Sequence, residues 1–347
     1  MTTADTSIQP KRALRPDGVA LAAALALAIC VAPALAVLGL SLRPNEGVDF
    51  GAALLRDGAI GTALLMLAGG AGAIVCGAGA AWLVSLCAFP GRGALAWLLV
   101  LPLAAPSYIL AYSYTSLTWA GGLIPYRVEG FWGAAFIYTI GLYPYVYLAA
   151  RAAFVSQSSC AIEAARMLGA QPRDVFWRVA LPLARPAIAA GGALACMEIA
   201  ADYGAAQHFG LTTLSTAIFR AWYAHGSTDA ALQIAAVLLV AAIAFLLAER
   251  WARGSASYAG DSTRWRPLPR YTLAPMAGWL ATAFCVALVV LGALLPLAWL
   301  GRLALLHANV EDIAGPFVNS IVLAGAGALV TLALAAAIAV AARRAGA

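Results

Sequence analysis

Charged residues are scarce in this chain of 347 residues, of which 63% are hydrophobic and only 10% are charged. The mean hydropathy is +0.87. A soluble globular protein has no interior large enough to bury this proportion of apolar side chains. The scarcity of charge therefore excludes that class and indicates an integral membrane protein.

The common sequence motifs of enzymes and nucleotide-binding proteins are also missing. The chain has no H-E-x-x-H, G-x-S-x-G or C-x-x-C motif, and no G-x-x-x-x-G-K-[ST] phosphate-binding loop. His208, His225 and His307 are scattered over predicted outer loops, where a structural or solvated role is the default expectation. We therefore predict no catalytic residue and no cofactor in this chain, and we assign no metal site.

Eight apolar stretches are long enough to cross about 30 Å of hydrocarbon, which takes about 20 helical residues. The third is interrupted by Pro102 and Pro106, and the fifth carries Glu198 and Asp202. Helix breakers and acids are tolerated in a membrane where they face protein or water. The sequence thus predicts an all-α polytopic protein with spans at residues 18–41, 59–88, 94–118, 130–154, 186–205, 230–249, 273–300 and 316–342.

The basic residues predict the orientation of these spans. With the amino terminus in the cytoplasm, sixteen of the 21 lysines and arginines fall on the inner side and five on the outer side. This division agrees with the positive-inside rule, and one missed or invented span would invert every later loop. Topology and anionic lipid explain the net charge of +6, so no nucleic-acid partner is expected.

Two parts of the chain are similar to each other at an offset of 258 residues: Gly61 to Gly70 and Asn319 to Ala328. Residues 273–342 are therefore interpreted as the first two helices of a second copy of residues 18–88. The predicted organisation is a cytoplasmic segment (1–17), a first half (18–250), a linker rich in Arg, Ser and Pro (251–272) and the start of a second half (273–347).

A polar segment, residues 155–185, separates two spans on the arginine-rich side of the membrane. Ser159 suits the N-cap of a short helix that ends at Gly169. Pro172 suits the first turn of a second short helix, which we expect Leu181 and Pro182 to close.

This polar segment has the features of a docking surface. A pair between Glu163 and Arg166 would stabilise a helix by only about 0.2–0.5 kcal/mol, a weak reason for a carboxylate there. The small side chains of Ala164 and Ala165 would leave a surface of low relief, over which a partner protein can close. Apolar contact area is expected from Met167, Leu168, Val175, Phe176 and Val179.

The complete spacing is Glu-Ala-Ala, three residues, Gly, nine residues and Val-x-Leu-Pro. It resembles the coupling-loop signature of importer-type ABC transporter permeases, with Val179 where the family usually has Ile. The resemblance implies a cytoplasmic ABC ATPase dimer that binds ATP and Mg²⁺ itself and moves the spans through this loop. The residues implied in coupling are Glu163, Ala164, Ala165, Gly169, Val179, Leu181 and Pro182.

A narrower resemblance follows the loop, in residues 183–191, 197–204 and 218–223. These residues are similar to the ferric-iron branch of the permeases, whose members usually fuse two six-helix halves. The chain is expected to hold one six-helix core and the first two helices of an incomplete second copy, as a fragment or a truncated product. The implied partners are a periplasmic binding protein, a second permease half and membrane lipid, and the implied location is the bacterial inner membrane.

Glu198, Asp202 and Tyr203 are the candidates for the substrate pathway. A rise of about 1.5 Å per residue places the two acids about 18 and 24 Å along a helix from Pro186, on one face. Ferric iron is a hard cation that favours oxygen ligands. Alternatively, the acids fix helix packing through hydrogen bonds to Tyr203 or Arg220.

Other functions remain open from the sequence alone. The coupling loop does not report the substrate, so thiamine, polyamine, sulfate or molybdate import is an alternative to iron import. A secondary transporter would need no ATPase, but would leave the coupling signature unexplained.

Overall fold

The computed structural model describes residues 18–42, 49–118, 127–156, 167, 172–253, 270–307 and 310–345. Contacts divide the chain into two compact units, residues 40–306 and residues 1–39 with 307–347. The second of these units contains most of α1 (Gly18–Ser41) and all of α13 (Val310–Ala345), which are long apolar helices.

The larger unit is built from helices and one short pair of strands. Its first part contains α2 (Asp49–Leu86), β1 (Cys87–Ala88), α3 (Arg92–Leu98), a 3₁₀ turn (Leu101–Ala104), α4 (Ser107–Thr118) and α5 (Gly130–Ser156). Its middle part contains α6 (Pro172–Val175), a π-helical segment (Phe176–Ala180), α7 (Leu181–Ala201), α8 (Gly204–His208), α9 (Leu214–Phe219), a second π segment (Arg220–Ala224) and α10 (Thr228–Arg253). Its last part contains β2 (Tyr271–Thr272), α11 (Pro275–Val289), a third π segment (Val290–Leu294) and α12 (Leu295–His307).

Among the described residues, seven helices are long and apolar enough to cross a membrane, and one bent pair of helices brings the number to eight. The predicted all-α polytopic fold is confirmed. The second predicted span begins earlier than expected, because α2 already starts at Asp49.

The bent pair is the third predicted span. Residues Arg92–Ala104 and Ser107–Thr118 meet at an angle of 92°. Ala105 has the extended dihedrals φ −104° and ψ 119°, as expected for a residue whose helical conformation would clash with the ring of the following proline. Pro106 therefore breaks this span and turns it sharply.

The core of the larger unit lies where α2, α5 and α7 pack together. Tyr143, Tyr147 and Phe154 of α5 are fully buried. Small residues bring the helix backbones together: a methyl group added at Gly77 of α2 would lie 2.5 Å from the Tyr143 carbonyl oxygen and 2.7 Å from Val146 Cβ. Gly191 of α7 approaches Val146 equally closely from the other side. Such close approach is typical of membrane helices, which gain little from apolar burial alone.

Replacing Gly77 by alanine should therefore destabilise the larger unit by about 1–3 kcal/mol, the usual cost of overpacking. The control is Gly79→Ala, where the added methyl group meets only the Phe284 ring, at 3.8 Å. Alanine is the better helix former at both positions, so only packing distinguishes the variants. Thermal unfolding in detergent measures the difference, and equal melting temperatures for the two variants would contradict the packing described.

The described end of the predicted linker is packed against the protein. Tyr271 pairs with Cys87 and Thr272 with Ala88, in a parallel two-stranded ladder. The Tyr271 side chain is buried in the same core as Trp82 and Phe154. Further along, the Tyr114 hydroxyl donates to the Leu291 carbonyl at 2.6 Å. The segment after the predicted linker is therefore attached to β1 before α11 and to α4 after it.

Candidate functional site

The predicted coupling residues fall into two groups. Glu163, Ala164, Ala165 and Gly169 lie outside the described residues, so their predicted roles stay predictions. Val179, Leu181 and Pro182 lie in a continuous helical stretch that begins at Pro172 and ends at Ala201.

The expectation that Leu181 and Pro182 close a short second helix is wrong, because the chain continues as a helix through both residues. The π segment Phe176–Ala180 directly precedes them, and the Leu181 N–H bonds the Phe176 carbonyl five residues back. Proline has no N–H to donate and crowds the carbonyl four residues earlier, so a wider turn accommodates Pro182. The end of the loop is thus continuous with the membrane span.

One face of this stretch is buried against the spans. Val175 is completely buried, and Phe176, Val179 and Leu181 pack partly buried against the main core. The prediction that Val175 offers contact area to a partner is therefore wrong, because its side chain faces inward. Met167 is 89% exposed, as a contact residue should be, and Trp177, which was not among the expected contact residues, is 58% exposed.

The inward face meets a cluster of four aromatic rings, Trp82, Phe154, Phe176 and Tyr271, which we call the Trp82 cluster. The Trp82 ring centroid lies 4.7 Å from that of Phe176, 5.9 Å from Phe154 and 6.3 Å from Tyr271. The Trp82 pairs with Phe154 and Phe176 are edge-to-face, with interplanar angles of 76° and 60°, and such pairs add about 0.5–1.5 kcal/mol each beyond simple burial. The cluster joins α2, α5, the end of the loop and β2, so Trp82 links Phe176 to rings from α5 and β2.

At the other end of α7, the two acids occupy different environments. The helix ends at Ala201, and Asp202 is its C-cap with an extended backbone, ψ 119°. The placement of both acids on one continuous helix is therefore wrong for Asp202. Glu198 is exposed, and its Oε1 lies 3.4 Å from the Tyr145 hydroxyl.

Asp202 is held by hydrogen bonds within the protein. Its carboxylate accepts from the Ser107 hydroxyl at the start of α4 and from the Ala205 N–H at 3.2 Å. Its backbone carbonyl accepts from the Ser215 hydroxyl at 2.6 Å. The buried Tyr138 hydroxyl makes no hydrogen bond of ordinary geometry, but it lies within electrostatic range of the carboxylate. Asp202 thus connects the bend of the third span to the end of α7.

The side chains named in the alternative packing role have other partners. The Arg220 guanidinium donates to the Thr212 hydroxyl at 2.7 Å. The Tyr203 ring stacks on Phe219, with centroids 4.1 Å apart. The acids are therefore not held by hydrogen bonds to Tyr203 or Arg220. Asp202 does have a packing role, but its partners are Ser107 and Ala205.

A cavity of about 540 Å³ lies beside α4 and α8 and is lined by Tyr112, Thr115, Arg127, Glu129 and His208 among others. His208 bonds the Thr115 hydroxyl at 2.8 Å, in agreement with the structural role expected for this histidine. Ser107, Tyr145 and Thr115 were not predicted from the sequence. They contact residues 53–95 positions away, and no local pattern indicates such pairs.

The profile of the family described as "Binding-protein-dependent transport system inner membrane component" matches residues 73–253, more than half of the chain. The chain belongs to this family. The resemblance to importer-type ABC permeases is thereby confirmed, and the matched residues include the coupling segment, α7 and both acids. The permease is a multi-pass inner-membrane transport component and not an enzyme.

Two curated relatives are similar to the permease. The Fe(3+)-transport system permease protein FbpB 2 of Haemophilus influenzae is 28% identical over 278 residues, which are 78% of this chain and 54% of that protein. The permease thus spans about half the length of this relative. The molybdenum transport system permease protein ModB of Escherichia coli K12 is 29% identical over 196 residues, 52% of this chain and 86% of that protein.

A solved structure has a similar fold. The MetNI methionine ABC transporter in an inward-facing conformation matches with a TM-score of 0.50 and 17% identity, covering 60% of this chain and 98% of that chain. At this identity the match concerns the fold alone.

Replacing Trp82 by alanine should weaken communication between the loop and the spans, because it removes the ring that contacts Phe176 and Tyr271. We expect the transport rate to fall about tenfold, a loss of about 1.4 kcal/mol. Trp82→Phe keeps an aromatic ring and should recover most of the loss, and Trp132→Ala removes an indole that is 77% exposed. A normal transport rate in Trp82→Ala would show that the cluster does not link the loop to the spans in function.

Proposed function

We propose that this chain is the membrane permease of an ATP-driven importer that takes ferric iron from a periplasmic binding protein. Family membership supports transport, and the similarity to an Fe(3+)-transport permease over 78% of the chain carries the choice of iron. The proposed location is the bacterial inner membrane, with the amino terminus in the cytoplasm.

The acid at the exposed side of α7 has chemistry suited to this substrate. Glu198 is exposed on a face of the span, and its only described side-chain hydrogen bond is a long one with Tyr145. An ionised acid in a span costs about 2.5–3.5 kcal/mol on insertion scales, and a path that conducts cations gives a reason for that cost. Carboxylate and phenol oxygens are hard ligands that suit ferric iron. We propose Glu198 as a pathway residue that ferric iron meets transiently.

The energy source is a separate ATPase dimer that docks on residues 155–185. The described end of this segment supports the proposal, because Val179 and Leu181 anchor it to the core while Trp177 is exposed. We assign these two signature residues an anchoring role and Glu163, Ala164, Ala165 and Gly169 the docking role. The α6–π–α7 stretch then connects the docking surface directly to Glu198.

Molybdate is the second candidate substrate, because the molybdenum permease ModB is 29% identical over 196 residues. Molybdate is an anion, and the carboxylate of Glu198 would repel it at short range. The sign of the charge on the proposed path therefore favours a cation.

The test is uptake into proteoliposomes that contain this permease, its second half and its ATPase, with the cognate binding protein outside. The proposal predicts ATP-dependent accumulation of radioactive ferric iron and no accumulation of radioactive molybdate. ATP-dependent uptake of molybdate, thiamine, a polyamine or sulfate in place of iron would overturn the substrate. Uptake of iron at the same rate without ATP would overturn the ATP-driven mechanism in favour of a secondary transporter.

A further inference from the structure

Three arginines from distant parts of the chain converge at the predicted cytoplasmic end of the larger unit. Arg92 is the first residue of α3, Arg151 lies near the end of α5, and Arg270 directly precedes β2. The positive charges of Arg270 and Arg151 both act on the Arg92 guanidinium, and those of Arg151 and Arg92 both act on Tyr147. Arg92 is thus common to both sets, and the three side chains form one cationic group centred on Arg92.

Hydrogen bonds and strand pairing fix the backbone beneath this group. The Arg92 guanidinium donates to the Val84 carbonyl at 2.7 Å, and the Tyr147 hydroxyl donates to the Ala96 carbonyl at 2.9 Å. The pairing of Tyr271 with Cys87 places Arg270 at the end of the ladder. The group is therefore built by the tertiary fold and is not a run of charges in the sequence.

No carboxylate neutralises these arginines within the part of the chain that the structure describes. The ion pairs found there include Arg56 with Asp57 and Arg178 with Asp174, and neither involves these three arginines. Like charges held at short range repel each other, and the repulsion is strongest where solvent is partly excluded. Arg92 and Arg151 are both partly buried. An anion bound among the three side chains would relieve this repulsion.

The surroundings indicate the kind of anion. Trp97 and Leu98 of α3 are 77% and 41% exposed, and Trp279 of α11 is 63% exposed. The start of α11 packs beside α3, where the Thr282 hydroxyl donates to the Pro90 carbonyl at 2.9 Å. Exposed indole rings next to basic side chains are typical of the membrane–water interface, where headgroups lie above acyl chains. A ligand that is anionic at one end and apolar at the other fits both features.

We propose that Arg92, Arg151 and Arg270 bind the phosphate headgroup of an anionic phospholipid whose acyl chains lie along Trp97, Leu98 and Trp279. The site joins the start of α3, the end of α5 and the residue before β2. Because Tyr271 follows Arg270 and belongs to the Trp82 cluster, bound lipid also holds β2 against the element that contacts the coupling segment.

The proposal is tested by native mass spectrometry of the purified full-length chain in detergent, titrated with phosphatidylglycerol or phosphatidylcholine. One basic residue near an anionic headgroup contributes enough for about a fivefold change in affinity. Arg270→Gln should weaken phosphatidylglycerol binding about fivefold, and the double variant Arg92→Gln/Arg270→Gln about 25-fold. The control Arg56→Gln removes an arginine that is paired with Asp57 on the predicted outer side and should bind like wild type.

Arg270 is exposed, so its variant should keep the wild-type melting temperature even if the double variant loses stability. Equal affinity for the two lipids in the wild-type chain would overturn the proposal, as would unchanged phosphatidylglycerol binding in Arg270→Gln. Inorganic phosphate should not displace the lipid at millimolar concentration. Displacement would identify a free-anion site and overturn the assignment to lipid.

Discussion

Replacing Glu163 by arginine should abolish the ATP hydrolysis that substrate-loaded binding protein stimulates, and with it iron uptake. A carboxylate at this position adds little to helix stability, and the resemblance places it in contact with the ATPase. Reversing its charge in a closed, partly desolvated interface leaves an unpaired charge, which costs about 3–5 kcal/mol, enough to reduce docking more than a hundredfold. The measurement is ATPase activity of the reconstituted complex.

The control is the same charge reversal at the predicted outer end of the larger unit, Asp57→Arg. Asp57 is exposed and its partner is the adjacent Arg56, so stimulated hydrolysis should be unchanged. Gly169→Pro should behave like Glu163→Arg, because proline cannot adopt the left-handed conformation common at helix ends. Wild-type stimulation in both coupling variants, with the chain correctly inserted, would reject the docking assignment.

Neutralising Glu198 should reduce iron uptake more than tenfold and leave the stability of the protein unchanged. Glu198→Gln keeps the size of the side chain and removes the charge, and among the described residues the exposed side chain has one long hydrogen bond to lose. A tenfold effect corresponds to about 1.4 kcal/mol at the transport barrier. Uptake at several iron concentrations and the melting temperature are measured on the same preparation.

Asp202→Asn provides the comparison, because it removes the same charge four residues later, just beyond the end of α7. Asp202 accepts hydrogen bonds from Ser107 and the Ala205 N–H, and bonds to a charged acceptor contribute about 1.5–3 kcal/mol. This variant should therefore lower the melting temperature, whereas Glu198→Gln should not. Wild-type uptake in Glu198→Gln would reject the pathway role, and an unchanged melting temperature in Asp202→Asn would reject the packing role.

Hydrophobic length predicted the spans well, because crossing a membrane requires a long apolar segment whatever the tertiary structure. The effect of each proline on its helix was harder to predict. Pro106 breaks its span, since the preceding Ala105 is extended, whereas Pro182 lies inside a continuous helix behind a π segment. Proline thus breaks one helix and is accommodated in another. The outcome depends on whether the packing of the neighbouring residues favours continuation of the helix.

The contacts between distant residues were not predictable from one sequence. Asp202 meets Ser107, and Trp82 meets both Phe176 and Tyr271. Each pair is set by how the helices cross and not by a local period. For the same reason, the sequence alone predicts the same role for Glu198 and Asp202. In the folded chain, Asp202 is held by hydrogen bonds to Ser107 and Ala205, whereas Glu198 is exposed.

The most direct test of the coupling mechanism is the rate of ATP hydrolysis by the separate ATPase in proteoliposomes, measured with and without this chain. We expect iron-loaded binding protein to raise the rate only when the chain is present, and we expect Glu163→Arg in the chain to remove this rise. A rate that responds equally to the binding protein in the absence of the chain, or with its Glu163→Arg form, would contradict the proposed coupling.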